Sequence, residues 1–391
     1  MNKRTKKILI HDFSGHPFQL ELSKELTKNS YTVFHVYFDN GKGPKGDFFN
    51  SKNSQLNITP IKSVFNYSKS NLIKRFLGDF IYGLLLLIKI LSIKPDIVVS
   101  GNSPIDSFWG ISLSRIFRNF KYIYWAHDFY GPAISHIFSQ KLGLLGKVIG
   151  NFYFFREKMH IQKSDGVIAI SESFKKELQE RYQFKKPITV IPNWGNFEDV
   201  LYKSPDYKNE KFKVIYTGTL GWKHNPKLVT WLCGEFKNSI DFEIYAEGVG
   251  VDHLKKANEN KRLNNLIIHD LLEYKDFINK LSEANLLLCI LENDAGSYSV
   301  PSKVMNYLCA GRPILFFGPK SNLAANIISR NEAGLVFEHS QKHLASKKIN
   351  ELLNNKSKIL KMGENARNYA NSNFQISRIV SVFIRALENE K

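Results

Sequence analysis

The chain has 391 residues, more than a single hydrophobic core usually supports, so two domains are expected. With 43% hydrophobic and 13% aromatic residues and no low-complexity tract, it is neither a disordered nor a fibrous sequence. Its 55 Lys and Arg against 36 Asp and Glu give a formal charge of +19, and residues 1–150 hold 20 basic against 9 acidic side chains, a field that favours an anionic surface over a neutral one.

The first half alternates strand and helix. Apolar runs and turn residues predict strands at Ile8 to His11, Thr32 to Phe38, Leu56 to Ile61, Ile97 to Ser100, Tyr122 to Ala126, Gly166 to Ile170 and Ile188 to Ile191. Between them, helices are expected from about Pro17 to Lys28, from Asn71 to Ser92, after Pro104, up to Lys163, and from Ser171, whose hydroxyl suits a helix N-cap. A polar stretch without apolar periodicity, residues 196–211, reads as a linker. The alternation then resumes, with strands at Val214 to Tyr216, Phe242 to Ala246, Leu266 to Ile268, Leu286 to Leu291, Ile314 to Phe317 and Leu335 to Phe337, and a last amphipathic helix from Ile376 to Leu387. Such alternation predicts an α/β protein with two doubly wound parallel sheets.

The ten N-terminal residues are basic but too short in apolar length for a signal peptide, so export by that route is not expected. Phe76 to Leu91 is interrupted by Asp79 and Lys89, whereas a spanning helix wants ~20 apolar residues. It is expected to be a buried domain helix. Cys233, Cys289 and Cys309 lie far apart without C-x-x-C spacing and read as small core residues.

Two stretches carry chemistry. In Gly296 to Leu315 (GSYSVPSKVMNYLCAGRPIL), small residues run into Pro301, a residue suited to a helix start. Gly296, Ser297 and Ser299 offer free N–H groups in the loop, and those of Ser302 and Lys303, with a hydroxyl and an ammonium, then suit an anion at a helix N-terminus. Val300, Val304 and Leu308 form a packing stripe, leaving Lys303 and Asn306 on the loop side, and Gly311 and Pro313 end the helix. The second stretch, Lys213 to Pro226 (KVIYTGTLGWKHNP), again places glycine and lysine, here Gly218, Thr219 and Lys223, at the C-terminal end of a strand, where open α/β sheets bind ligands. Together the two loops suit a diphosphate.

With SGHPFQLELSKEL near the N-terminus and VIPNW in mid-chain, the sequence resembles the family-4 retaining glycosyltransferases of the GT-B fold, the kind that build bacterial O-antigen, capsule or exopolysaccharide. The resemblance implies two Rossmann-like domains facing across a cleft: residues 1–195 for the acceptor, 212–374 for a nucleotide-sugar donor, and a helix, 375–391, that crosses back. It implies a UDP-sugar in preference to a GDP-sugar, and a saccharide acceptor, polyprenyl-diphosphate-linked or otherwise, met at the inner face of the cytoplasmic membrane by a cytoplasmic, peripherally attached protein. Glu247 with Gly248, and Leu272 in the loop Asp270 to Glu273, fall where relatives border the base.

The chain departs from the family twice. Where relatives carry an arginine after the first strand of the donor domain it has Thr219, and at the two family glutamates it has Tyr298 and Asn306. Asn306 still suits a ribose hydroxyl, and Glu292 or Asp294 stands near enough in sequence to replace the first carboxylate. In the first domain His127 and Asp128 end a strand and are expected to be catalytic, while Gly15 and His16 suit a close approach by the acceptor. No D-x-D spacing or histidine cluster suggests a metal, and no cofactor is expected. A GT-B sugar-nucleotide epimerase and a non-catalytic basic binding protein are the alternatives; nucleic acid is not an expected partner.

Overall fold

A computed structural model describes residues 5–39, 54–62, 72–101, 103–200, 202–203, 212–221 and 224–388. The chain divides into two units, Met1–Pro192 with Ile376–Lys391, and Asn193–Gln375. The expected loop before Gln55, the end of the expected linker at 204–211, and Lys223 lie outside the described residues.

In the first unit the strands are β1 (Lys7–Asp12), β2 (Thr32–Asp39), β3 (Leu56–Lys62), β4 (Ile97–Gly101), β5 (Lys121–Ala126), β6 (Gly166–Ala169) and β7 (Ile188–Val190). They pair in parallel in the order β3-β2-β1-β4-β5-β6-β7. Helices α1 (Pro17–Lys28), α2 (Leu72–Ile93), α3 (Trp109–Phe117), α4 (Tyr130–Gln162) and α5 (Glu172–Glu180) connect them. Parallel pairing calls for long crossovers, of which all but the one from β2 to β3 carry a helix among the described residues, and the strands are apolar on both faces: β4 and β6 are buried throughout. Ser171 caps α5 by accepting the Phe174 N–H at 3.2 Å.

The second unit repeats the plan with β8 (Phe212–Thr219), β9 (Ile240–Glu247), β10 (Leu266–His269), β11 (Leu286–Ile290), β12 (Ile314–Phe317) and β13 (Gly334–Phe337) in the order β10-β9-β8-β11-β12-β13, all parallel. Its helices are α6 (Pro226–Glu235), α7 (Val249–Lys261), α8 (Tyr274–Leu281), α9 (Lys303–Cys309), α10 (Leu323–Arg330), α11 (Lys342–Leu353) and α12 (Lys356–Asn373). The last helix, α13 (Ile376–Glu388), belongs to the first unit. Phe383 packs on Trp125 with ring centroids 5.2 Å apart, and Glu388 bonds both Lys6 Nζ and Tyr31 Oη at 2.7 Å. All three cysteines are buried and unbridged.

Two expectations need correction. The start of the expected linker is bound into the second unit: the Arg367 guanidinium lies 3.8 Å from the Phe197 ring centroid and donates to Val200 O at 3.0 Å. Polarity of side chains hid these contacts, which use backbone and an aromatic face. Helix α2 is only partly buried. Tyr82, Leu86 and Ile90 enter the core, whereas Ile73 is 74% and Ile88 53% exposed, because apolar residues on both sides of the helix do not declare which side is covered.

Candidate functional site

In the second unit β8 and β11 are adjacent but their chain neighbours lie on opposite sides, which is the topological switch point where such sheets bind ligands beyond the strand C-termini. Gly218, at φ +99°, is the last residue but one of β8, in a conformation that favours glycine. A Cβ built there would lie 3.5 Å from Lys303 Nζ, so the lysine of one loop stands beside the glycine of the other. The Lys303 ammonium is buried and sits 3.7 Å from the centroid of the Tyr216 ring. Its placement follows from α9, which is tied to β8 by a residue that sequence reasoning missed. Tyr307, fully buried, accepts the Thr217 N–H at 3.1 Å and lies 3.0 Å from the Thr217 hydroxyl.

The neighbouring strand end joins the same edge. Leu220 N–H donates to Glu247 O at 2.8 Å and Gly250 N–H to Leu220 O at 2.9 Å, so the loop after β8 is laced to the loop after β9. Gly248, at φ +110°, leads into α7, and a side chain there would come 3.0 Å from Leu220 O. Thr219 is paired with Glu247 across the two strands. Leu272 is half-buried in the loop after β10, at the far edge of the sheet.

The loop before α9 corrects the anion-binding reading in part. Asn293–Ser297 forms a 3-10 turn in which Ala295 O accepts the N–H groups of Tyr298 at 3.3 Å and Ser299 at 3.0 Å. The Ser299 N–H is therefore engaged within the loop and does not suit an anion. Val300 and Val304 pack inward as expected, and Pro301 lies one residue before the Ser302 cap position, so α9 starts at Lys303. Helical geometry leaves the Ser302 and Lys303 N–H groups ahead of the first bonds of the turn, made by Val304 and Met305. Asn322, also missed, fixes the loop by donating to Ser299 O at 2.9 Å and Gly296 O at 3.2 Å.

Asn306 also has a structural partner. Its Oδ1 accepts the Asn196 N–H at 3.2 Å, which orients the amide and leaves its nitrogen as a donor for a ribose hydroxyl. Of the two acids considered as replacements, Asp294 is exposed and Glu292 is half-buried beside His339, whose Nε2 lies 4.0 Å from Glu292 Oε2. The same nitrogen donates to Leu291 O at 2.9 Å, and Nδ1 faces the Asn225 amide nitrogen at 3.5 Å. Asn225 in turn caps α6, accepting the Leu228 N–H at 3.3 Å. His339 follows a strand two places from β11, which is why no local motif announces it.

In the first unit the switch point falls between β1 and β4. Asp12 ends β1 and gathers the next turn: it accepts the Ser14 N–H at 3.2 Å, the His16 N–H, and His16 Nδ1–H at 2.9 Å. Gly15, at φ +70°, makes that turn. Burial alone would lower the His16 pKa, but the charge and hydrogen bond of Asp12, with the charge of Asp128, raise it. Burial alone would raise Asp12, and His16 holds it below the ordinary value. His127 is buried, its ring 6.1 Å from that of His16 and its Nε2 3.4 Å from the Gln19 amide nitrogen. A Cβ on Gly101 would stand 3.0 Å from His127 Nε2, so a larger residue there would press on the imidazole. His127, by its ring, and Asp128, by its charge, thus act on His16, which together with the Gly15 turn is held by Asp12, a residue without an assigned part in the sequence reading. Below them His11 bonds Tyr82 Oη at 2.7 Å and Ser100 Oγ at 2.9 Å, and burial lowers its pKa to about 3, so it is a neutral fastener of β1, α2 and β4.

Two family models match the chain, Glycosyltransferase Family 4 over residues 18–197 and Glycosyl transferases group 1 over residues 199–369. The putative colanic acid biosynthesis glycosyl transferase WcaI of Escherichia coli (strain K12) is 23% identical over 166 residues, which take in 40% of this chain and 41% of that protein. Sucrose-phosphate synthase from Thermosynechococcus elongatus superposes with a TM-score of 0.76 at 12% identity, covering 98% of each chain. Anabaena HepE in complex with UDP-glucose gives 0.69 at 13% identity, covering 98% of this chain and 99% of that one.

Proposed function

This chain belongs to the family-4 glycosyltransferases of the GT-B fold, and we propose that it transfers a sugar, with retention of anomeric configuration, from a nucleoside-diphosphate donor to a saccharide acceptor of bacterial surface polysaccharide synthesis. The observation that carries the donor reading is the Lys303 ammonium beside Gly218 at the switch point of the second sheet. A UDP-sugar is favoured, in keeping with the UDP-glucose held by HepE. Gly218, Thr219, Ser302 and Lys303 hold the diphosphate, joined by Lys223; Glu247, Gly248 and Leu272 border the nucleoside. Helix N–H groups and lysines stand in for a divalent metal, so none is needed.

The reaction proposed breaks the bond from the anomeric carbon to the diphosphate oxygen and forms one to the acceptor oxygen on the same face. The acceptor proton passes to the departing phosphate. Lys303 stabilises the charge that develops on the diphosphate, and positioning does the rest. His127 and Asp128 meet the transferred sugar or the acceptor, and Gly15 and His16 shape the acceptor's approach. The acceptor is a polyprenyl-diphosphate-linked saccharide, reached by a cytoplasmic protein attached to the inner face of the membrane. The test is thermal stabilisation of the purified protein across a panel of nucleotide sugars: a selective shift with one or two of them supports the reading, and no shift with any contradicts it.

A further inference from the structure

Among the described residues, large hydrophobic side chains left exposed are unevenly distributed: fifteen of twenty lie on α2, α3 and α4. On α2 they are Ile73, Phe76, Leu77, Phe80, Leu84 and Ile88, spaced so as to share one face of the helix. On α4 the series Leu145, Val148, Phe152, Phe155 and Met159 does the same. The two helices pack on a common element, the 3-10 turn Ile105–Ser107. Tyr153 of α4 donates to Asp106 at 3.2 Å and Arg156 bonds the same carboxylate, while a Cβ on Gly83 of α2 would lie 2.9 Å from Ser107 O. Exposed apolar surface on this scale marks a docking face.

The charges around it select the occupant. Between residues 72 and 163 every carboxylate is buried or half-buried, with Asp79, Asp106 and Glu157 the most deeply placed, whereas Lys74, Lys94, Arg118 and Lys147 are exposed. Ile73–Ile93 is long and apolar enough to cross a membrane, yet its other face holds Tyr82, Leu86 and Ile90 in the core, and Tyr82 is bonded to His11. A span would tear that face out; lying in the plane of the interface would not. We infer that α2 and α4, with the tip of α3, form one apolar face rimmed by cations that seats the first unit in the headgroup and acyl boundary of an anionic bilayer. This deepens the functional proposal, resting on its lipid-linked acceptor: the surface holds the enzyme where that acceptor lies.

The test is sedimentation of the full chain with vesicles of phosphatidylcholine, with and without phosphatidylglycerol. At 1 M salt the screening length falls to about 3 Å, which removes purely electrostatic attachment. Native protein should sediment with phosphatidylglycerol vesicles and remain on them at high salt. Replacing Phe76, Leu77 and Phe80 by serine should lower partitioning about tenfold or more, since apolar area is removed from the lipid. The same is expected for Leu145, Val148 and Phe152, so either set serves if the other fails to fold. Stabilisation by nucleotide sugar should be unchanged in both. Stripping by salt, equal binding by native and variant proteins, or no binding to any vesicle would overturn the inference, and with donor stabilisation intact would leave the enzyme's function standing. A concentration-dependent dimer in ultracentrifugation, lost in the variants, would assign the face to a second copy and also overturn it. Loss of donor stabilisation in the native protein would count against the functional proposal alone.

Discussion

Lys303→Ala removes one charge-assisted contact to the donor diphosphate, worth ~1.5–3 kcal/mol. At ~1.4 kcal/mol per decade, affinity for the nucleoside diphosphate should fall roughly tenfold to a hundredfold. The same ammonium lies 3.7 Å from the centroid of the Tyr216 ring, and such a contact contributes about 0.5–2 kcal/mol to folding. Deleting it also relieves the cost of keeping a cation out of water, so the two effects oppose and stability should change by no more than ~2 kcal/mol. Lys303→Met keeps an unbranched side chain of similar length and isolates the charge. Calorimetric titration with UDP and GDP, beside thermal unfolding of each variant, separates binding from folding. Native affinity in both variants, with folding intact, would refute the assignment of Lys303 to the diphosphate.

Lys223→Ala should weaken the nucleoside diphosphate in the same titration, by about tenfold if it makes one charge-assisted contact. Tyr307→Phe leaves the Thr217 N–H without its 3.1 Å acceptor, a loss of about 1–3 kcal/mol that thermal unfolding will register. Activity should survive EDTA; abolition by chelation and rescue by magnesium or manganese would contradict charge stabilisation by lysine and helix ends. His127→Ala should lower kcat sharply and leave donor affinity close to native, because the donor groups are in the other unit; loss of donor affinity at native kcat would assign it to binding instead. The Asp12–His16 pair sets a pH window. The raised His16 pKa makes its stabilisation complete below about 6.5 and lost as pH rises through the folded value; the lowered Asp12 pKa makes its own complete above about 3.9 and lost as pH falls through the folded value. Asp12→Asn should therefore depress the melting temperature more at pH 6 than at pH 9, and an equal effect at both would show that the pair is not ionised.

The strand and helix order was legible because each parallel strand is a short apolar run between turn residues, and because Ser171 and Asn225-Pro226 announce helix starts by local chemistry. Interactions between distant residues were not legible. Asn322 holds the loop at Ser299 from across the next strand, Tyr307 reaches back to Thr217, and the Asn196 N–H bonds the Asn306 oxygen. The N–H of Ser299 reads as available in any small-residue loop, and only the 3-10 turn at Asn293–Ser297 removes it. Asp12 escaped because a strand-end aspartate has no signature until His16 closes on it. The exposed face of α2 escaped for the opposite reason, since apolar residues on both sides of the helix conceal which side is covered.

The central claim is sugar transfer with retention from a nucleotide sugar. Proton NMR of the product made from a UDP-α-sugar and a polyprenyl-diphosphate-linked saccharide, with release of UDP followed in the same tube, tests it most directly. An α-linked product formed in step with UDP is the expected result. A β-linked product would contradict retention, and UDP-sugar returned epimerised or untouched in the presence of acceptor would contradict transfer itself.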